Sequence, residues 1–216
     1  MEIKKINKKK HITFLTEKTN CNIGIKVNKA IFYDRDGVLI KDKHYIKDPN
    51  DVILLNGAND LLSQSKKLGY INIVITNQSG ISRKLFTWKD YEKVTYKMLS
   101  LINSEIIIDA IYANGERPND SIPDKSWRKP NPNMIFKAAK DYKIDLSKSI
   151  LIGDRLSDIT SGVKAGINNI YHVLTGHGSN EREKVIEKYF SSKNKFKLNL
   201  INDLTFFKKS NFTSLC

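Results

Sequence analysis

An α/β fold, with a mostly parallel sheet covered by helices on both faces, is what this sequence predicts, on three observations. From Ala30 onward, short apolar runs rich in β-branched residues alternate with longer segments of helical period, as strands joined by crossover helices do. Each notable polar cluster falls just past one of the apolar runs, where sheets of this kind bind ligands. The 216 residues, 40 % of them hydrophobic, suffice for one full core.

Taken in order, AIFY (30–33) reads as a strand, and NGANDLLSQSKKLG (56–69) as an amphipathic helix closed by Gly69. INIVIT (71–76) is a second strand. TWKDYEKVTYKMLSLIN (87–103) is a helix, with Thr87 and Asp90 spaced as a capping pair. IIIDAIYA (106–113) is a third strand, followed by a Pro-, Asn- and Asp-rich loop through residue 132. A helix over 133–142, the strand SILIGD (149–154), a short helix after Asp154, the strand NNIYHVLT (168–175) and a helix from about Ser179 to Phe190 complete the pattern.

The formal charge of +14 raises nucleic acid as a partner, but its distribution argues otherwise. Residues 1–29 hold eight Lys against two Glu and residues 188–216 six Lys against one Asp, whereas 30–187 hold 23 basic and 20 acidic residues. The excess sits in the flanks, which read as a basic N-terminal extension (1–29) and a basic C-terminal tail (191–216), solvated rather than dedicated to binding. The extension either adds a strand, through HITFLT or NIGIKV, or hangs free.

Cys21 and Cys216, the two cysteines, cannot form a disulfide framework or a Cys-based metal site, which fits a reducing cytoplasm. No run approaches the apolar length of a membrane span, and the N-terminus lacks the apolar centre of a signal peptide. The expectation is a cytoplasmic monomer with no membrane and no nucleic-acid partner.

Four clusters carry the chemistry: Asp34-x-Asp36 after the first strand, TNQSG (76–80) after the second, RKP (128–130) beyond the third and GDRLSD (153–158) after the fourth. Asp36-Gly37 alone could simply end a strand, since Asp-Gly is a common turn pair. The acidic ligands of a calcium loop do not continue after Gly37. Together, the clusters bring two carboxylates, a hydroxyl with backbone amides, a lysine and an i, i+4 carboxylate pair to one sheet edge.

That is an inventory for phosphoryl transfer. A phosphate monoester hydrolyses extremely slowly in water, so an enzyme must hold the nucleophile in line, neutralise the equatorial oxygens and protonate the leaving alkoxide. A carboxylate nucleophile splits the reaction through an aspartyl phosphate, and a second carboxyl can serve the proton. A hard cation on carboxylate oxygens, suited to Mg²⁺, offsets the repulsion between these anions and the phosphate.

The four clusters, in this order over about residues 30–175, resemble the motifs of the haloacid dehalogenase (HAD) superfamily of phosphatases. DRDGVL, TNQSGI, RKPNP and GDRLSD are most similar to the D-glycero-D-manno-heptose 1,7-bisphosphate 7-phosphatases. The resemblance implies a three-layer Rossmann-like fold without a large cap domain, its phosphatase domain spanning 30–190. It implies Asp34 as nucleophile and Asp36 as acid/base, with Mg²⁺ on Asp34, the Asp36 carbonyl and Asp154. Thr76 and Lys129 would hold the phosphoryl group. Asp42, Lys43, His44, Tyr45, Asn77, Gln78, Ser79, Arg128 and Arg155 would face the sugar or its second phosphate. Arg155 stands where the family has lysine, keeping the charge and changing its geometry.

One departure is large. Members of this family commonly carry a zinc loop, whose positions here are Asn114, Glu116, Lys125 and Trp127, and none of these reproduces a Cys/His zinc site. No structural zinc is expected; Pro118, Pro123 and burial of Trp127 would hold the loop instead.

Other residues have more ordinary readings. Asp158 is expected to orient the metal site from four residues beyond Asp154, and His44 reads equally as a surface histidine or a ligand contact. TGHGSN (175–180) reads as a turn before a helix capped near Ser179, because a lone Gly-x-Gly is a weak phosphate signal. Trp88, Tyr91 and Tyr96 read as a packed helix face. The sequence thus leads to a phosphatase of a phosphorylated sugar, with a histidinol-phosphate phosphatase, a polynucleotide 3'-phosphatase or an inactive binding protein on the same fold as alternatives.

Overall fold

A computed structural model describes residues 3–8, 11–16, 27–103, 108–118, 125–192 and 196–207. Its strands are β1 (Ile3–Lys8), β2 (His11–Thr16), β3 (Lys29–Tyr33), β4 (Tyr70–Asn77), β5 (Ala110–Asn114), β6 (Ile150–Gly153), β7 (Asn169–His172) and β8 (Lys197–Leu200). The helices are α1 (Ala58–Lys67), α2 (Trp88–Leu101), α3 (Asn133–Tyr142), α4 (Leu156–Ala165) and α5 (Gly178–Ser191). One eight-stranded sheet has the order β1-β2-β5-β4-β3-β6-β7-β8. From β5 to β8 all pairings are parallel, and β1 and β2 add an antiparallel hairpin beside β5.

Side chains alternate across β3, which is buried on both faces as a central parallel strand should be. Ile31 and Tyr33 join one core with α1 and α2, through Leu61, Leu62, Tyr91, Val94 and Met98. Ala30 and Phe32 join the other, with Ile135 and Ala138 of α3, Ile159 of α4 and Val185 of α5. The three layers follow. The chain leaves β3 for β4 and β5, then returns to β6 on the other flank of β3, so β3 stands at the switch point where such sheets open a ligand crevice. The connection from β3 to α1 carries only a 3-10 turn, Pro49–Asp51, and two single bridges, Asp36 with Ile40 and Ile40 with Leu54. It is a flap, not a cap domain.

The predicted strands and helices from 30 to 190 are present, apart from residues 106–107 of the third strand, which lie outside the described residues, and the capping pair on α2 forms: the Thr87 hydroxyl accepts from the Asp90 N–H and the Asp90 carboxylate from the Thr87 N–H. One flank settles an open choice and the other needs correction. HITFLT enters the sheet as β2 with Ile12 and Phe14 buried, while residues 22–26 of NIGIKV lie outside the described residues. The tail reading for 191–216 does not hold over 196–207: β8 pairs with β7, and Phe196, Ile201, Leu204 and Phe207 are buried. In both flanks a few well-spaced apolar residues outweigh the abundant lysines. On α2, Tyr91 is buried but Tyr96 is half exposed. The turn before α5 is held by the Gly178 N–H on Thr175 O, with His177 rather than Ser179 in the capping position and no side-chain cap. Among the described residues, no helix is long and apolar enough to cross a membrane.

Candidate active site

The site begins where β3 ends. Asp34 continues the β3–β6 ladder through its N–H on Ile152 O, at 3.1 Å, and then turns its carboxylate across the sheet edge. Asp34 Oδ1 accepts from the Arg35 N–H at 2.7 Å and lies 2.9 Å from Lys129 Nζ. Lys129, 2 % exposed, also lies 2.6 Å from Asp158 Oδ1 and donates to Ile75 O at 2.9 Å. Burial opposes its charge, but Asp158 and Asp34 outweigh burial and raise its pKa.

Asp154 follows β6 and is fully buried. Its Oδ2 accepts from the His177 N–H at 2.7 Å, whereas its Oδ1 has no hydrogen-bond partner among the described residues. Burial, then Asp158 and Asp34, push its pKa up to about 8. Asp34 is pushed up to about 6, chiefly by burial and against the pull of Lys129. Oxygen atoms of Asp34, Asp154 and Asp158 all lie within 4.8 Å of one another. Two buried carboxyl groups, Asp34 and Asp158, share one buried lysine, and the orphaned oxygen of Asp154 beside them points to a missing positive partner. The donors are all hard oxygens, so the residues fit Mg²⁺. Two glycines allow this packing: a Cβ on Gly37 (φ 87°) would lie 2.6 Å from Asp154 Oδ2, and one on Gly176 (φ 61°) 2.3 Å.

Behind the Asp154 backbone stands His172, fully buried at the end of β7. The Arg182 guanidinium, a donor only, lies 3.0 Å from His172 Nδ1, so the ring proton sits on Nε2 and donates to Asp154 O at 2.9 Å. Burial, the largest cause, lowers the His172 pKa, in keeping with a neutral ring.

The turn after β4 braces the floor. Asn77 clamps Lys129 at both ends, donating to its carbonyl at 3.1 Å and accepting from its N–H at 3.0 Å. Gln78 donates to Thr76 Oγ1 at 2.8 Å and to Asp36 Oδ2 at 2.7 Å. These two side chains, expected to face a sugar, line the pocket while holding its machinery in place. Asp158 likewise anchors the site, accepting from the Arg155 N–H at 3.0 Å besides pairing with Lys129.

Above this floor opens a pocket of about 370 Å³, lined by Asp42, His44, Tyr45, Ser79, Arg128 and Arg155 among the predicted residues. Lys43 is the exception: it turns away to pair with Asp51 at 2.7 Å and is not among the lining residues. In the flap, Asp42 Oδ1 accepts from the His44 N–H at 2.8 Å, and His44 and Tyr45 hold positive φ of 46° and 56°. Asp42 Oδ2 lies 3.0 Å from His177 Nε2 and 3.8 Å from Arg155 Nη2.

Sequence reasoning missed Arg35, Arg83 and His177, all of which line the pocket. The TGHG turn held the signal for His177, since its glycine permits the approach to Asp154. Arg83 sat in plain view four residues after Ser79, and Arg35 between the two predicted catalytic aspartates.

The loop at the zinc-loop positions is a polar brace. Asn114 Oδ1 accepts from the Glu116 N–H at 2.9 Å, and Ser126 Oγ donates to Glu116 Oε2 at 2.5 Å and accepts from the Arg128 N–H at 3.0 Å. Arg128 Nη1 donates to Glu116 O at 2.8 Å, so this brace aims Arg128; burial first, then Arg155 and Arg83, lower its pKa. Trp127 packs against Tyr112 with ring centroids 6.0 Å apart, and Pro123 lies outside the described residues.

Comparison with known proteins agrees with this geometry. Residues 126–194 match the HAD-hydrolase-like family. The D-glycero-beta-D-manno-heptose-1,7-bisphosphate 7-phosphatase of Helicobacter pylori strain 26695 is 38 % identical over 147 residues, 67 % of this chain and 83 % of the relative. The Escherichia coli K12 protein of the same name is 34 % identical over 152 residues, 68 % and 80 %. The D-glycero-alpha-D-manno-heptose-1,7-bisphosphate 7-phosphatase of Burkholderia mallei is 37 % identical over 145 residues, 65 % and 77 %. Among solved structures, the D,D-heptose 1,7-bisphosphate phosphatase of B. bronchiseptica, complexed with magnesium and phosphate, superposes with a TM-score of 0.70 at 27 % identity, covering 86 % of this chain and 99 % of that one. Strand-end carboxylates, buried lysine, uncapped sheet and relatives converge, and the chain belongs to the heptose-1,7-bisphosphate 7-phosphatase family of HAD-like phosphatases.

Proposed function

We propose that this enzyme removes the C7 phosphate of D-glycero-D-manno-heptose 1,7-bisphosphate through a phosphoenzyme on Asp34, as a Mg²⁺-dependent monomer in cytoplasmic synthesis of nucleotide-heptose glycan precursors. The observation that carries the reading is the carboxylate group of Asp34, Asp154 and Asp158 around Lys129, lying beneath a pocket rimmed by Arg83, Arg128 and Arg155. One phosphate would meet the floor. The arginine rim offers the second a site of opposite charge, which favours a bisphosphate over a sugar monophosphate.

Asp34 attacks phosphorus while Asp36, two residues on, gives a proton to the leaving sugar oxygen; Asp36 then takes a proton from the water that cleaves the aspartyl phosphate. Lys129 and the Thr76 hydroxyl hold the transferring oxygens. Asp34 and Asp154, with the Asp36 carbonyl, would hold Mg²⁺, which supplies charge neutralisation when bound. Asp158 fixes Lys129 and closes the carboxylate group.

The test is Mg²⁺-dependent phosphate release from both anomers of heptose 1,7-bisphosphate, histidinol phosphate and a 3'-phosphorylated oligonucleotide, with light scattering for the oligomeric state. Preference for one heptose anomer is the expected result, since relatives named for each anomer share the fold. Turnover of histidinol phosphate or the oligonucleotide alone would overturn the substrate assignment.

A further inference from the structure

Arg35 is almost completely buried, its side chain 1 % exposed, although it sits between the two catalytic candidates that follow β3. A guanidinium withdrawn this far from water needs partners fixed around it. Its Nε donates to Asp36 Oδ2 at 3.1 Å and its Nη2 to Asp36 Oδ1 at 3.0 Å, a two-pronged pairing, and Nη2 also reaches Gln78 Oε1 at 3.2 Å. The guanidinium lies 4.8 Å over the Tyr91 ring of α2, which fixes its plane from below. Gln78 completes the arrangement by donating to Asp36 Oδ2 at 2.7 Å.

The two Asp36 oxygens are therefore not equivalent. A carboxylate oxygen accepts about two hydrogen bonds. Oδ2 receives two, from Arg35 Nε and Gln78 Nε2, and is filled. Oδ1 receives one, from Arg35 Nη2, and Asp36 remains part of the pocket lining.

We propose that Arg35 is a positioning residue for proton transfer: with Gln78 it clamps the Asp36 carboxyl so that Oδ1 is the atom that carries the proton to the leaving sugar oxygen. The inference rests on Asp36 being the acid of the proposed reaction and adds the atom it uses and the residue that aims it. As the Asp34–phosphorus bond forms, the phosphorus–oxygen bond to the sugar breaks. The sugar oxygen keeps the electron pair and takes the proton from Asp36 Oδ1, leaving a neutral alcohol and an Asp36 carboxylate paired with Arg35. A swivelling Asp36 would miss this transfer even with its carboxyl intact.

The test compares kcat/KM, which reports phosphoryl transfer to the enzyme, for two substrates: heptose 1,7-bisphosphate, whose alkoxide needs the proton, and p-nitrophenyl phosphate, whose phenolate leaves without one. Asp36→Asn should lower the sugar-to-aryl ratio by about 100-fold. Arg35→Met should lower it by about tenfold or more, with Arg35→Lys recovering part because one ammonium cannot make the two-pronged contact. Gln78→Leu leaves no uncompensated charge and should lower the ratio by a smaller factor, reading the same clamp should Arg35→Met fail to fold. A merely structural role for Arg35 would slow both substrates alike. If Asp36→Asn lowers the ratio while Arg35→Lys and Gln78→Leu leave it unchanged, the clamp is wrong and the acid stands. An unchanged ratio in Asp36→Asn itself removes the acid assignment, and the inference with it.

Discussion

The floor of the pocket and its rim are built by different rules. Asp34, Thr76 and Asp154 issue from strand ends, Asp158 from the first turn of α4 and Lys129 from the loop before α3; all are buried, and each bonds to at least one other part of the chain. The rim is held by exposed or half-exposed side chains from the flap, the β6 turn and the loop after β5, with Tyr45 44 % exposed. The floor presents fixed charge in a dry setting, where electrostatics act strongly; the rim meets water, where each contact is weak and replaceable. On the proposed function, chemistry common to all phosphate monoesters would belong to the floor, and the choice among sugars to the rim.

That division can be broken at its strongest point first. Asp34→Asn should abolish turnover, by about 10⁴-fold or more, while the melting temperature shows a folded protein; unchanged activity would displace Asp34 as nucleophile. Lys129→Met should lower kcat by about 10²- to 10³-fold, and a pure KM effect would mean that the floor binds rather than stabilises the transition state. At the rim, Arg155→Ala should raise KM for the bisphosphate about tenfold with kcat little changed, and leave p-nitrophenyl phosphate turnover within about twofold. A kcat loss as large as that of Lys129→Met would erase the distinction.

The smallest effect is thermodynamic. Asp34 and Asp154 have folded pKa values raised to about 6 and about 8, above the usual carboxylate range, so the folded protein without metal holds protons that the unfolded chain has released. Its stability is fully present below about pH 4 as far as these groups are concerned and declines as pH rises through 6 towards 8. Melting curves in a chelator should show this fall, and added Mg²⁺ should restore more stability at pH 8 than at pH 5.5, because it replaces the protons. A metal effect independent of pH would argue against Asp34 and Asp154 as the ligands.

The floor was also the legible part. Its residue types are dictated by phosphorus chemistry and its placement by the parallel sheet, so DRDG, TNQSG, RKP and GDRLSD could be read in order. What lies between chemistry and packing was not. Asn77 and Gln78 are as polar as any sugar contact, but their bracing of Lys129 and Asp36 depends on register across β3, β4 and the loop after β5. His177 reaches the pocket because the turn after β7 folds back over Gly37; the TGHG glycine permits this long-range approach, but its destination is not written in the local pattern. The C-terminal flank misled for a different reason: lysines mark charge, but Phe196 and Phe207 decide where the chain goes.

The hairpin beside β5 determines how far the molecule can be shortened. A version reduced to residues 30–190 would keep the whole active site and still lose β1, β2 and β8, leaving the flank of Ala110–Asn114 uncovered. That strand is buried along its full length, and its backbone would then offer a row of unpaired amides and carbonyls next to apolar side chains, a template for pairing with other chains. Trimming to the motif-bearing portion is therefore expected to expose an aggregation-prone edge that the β1–β2 hairpin covers.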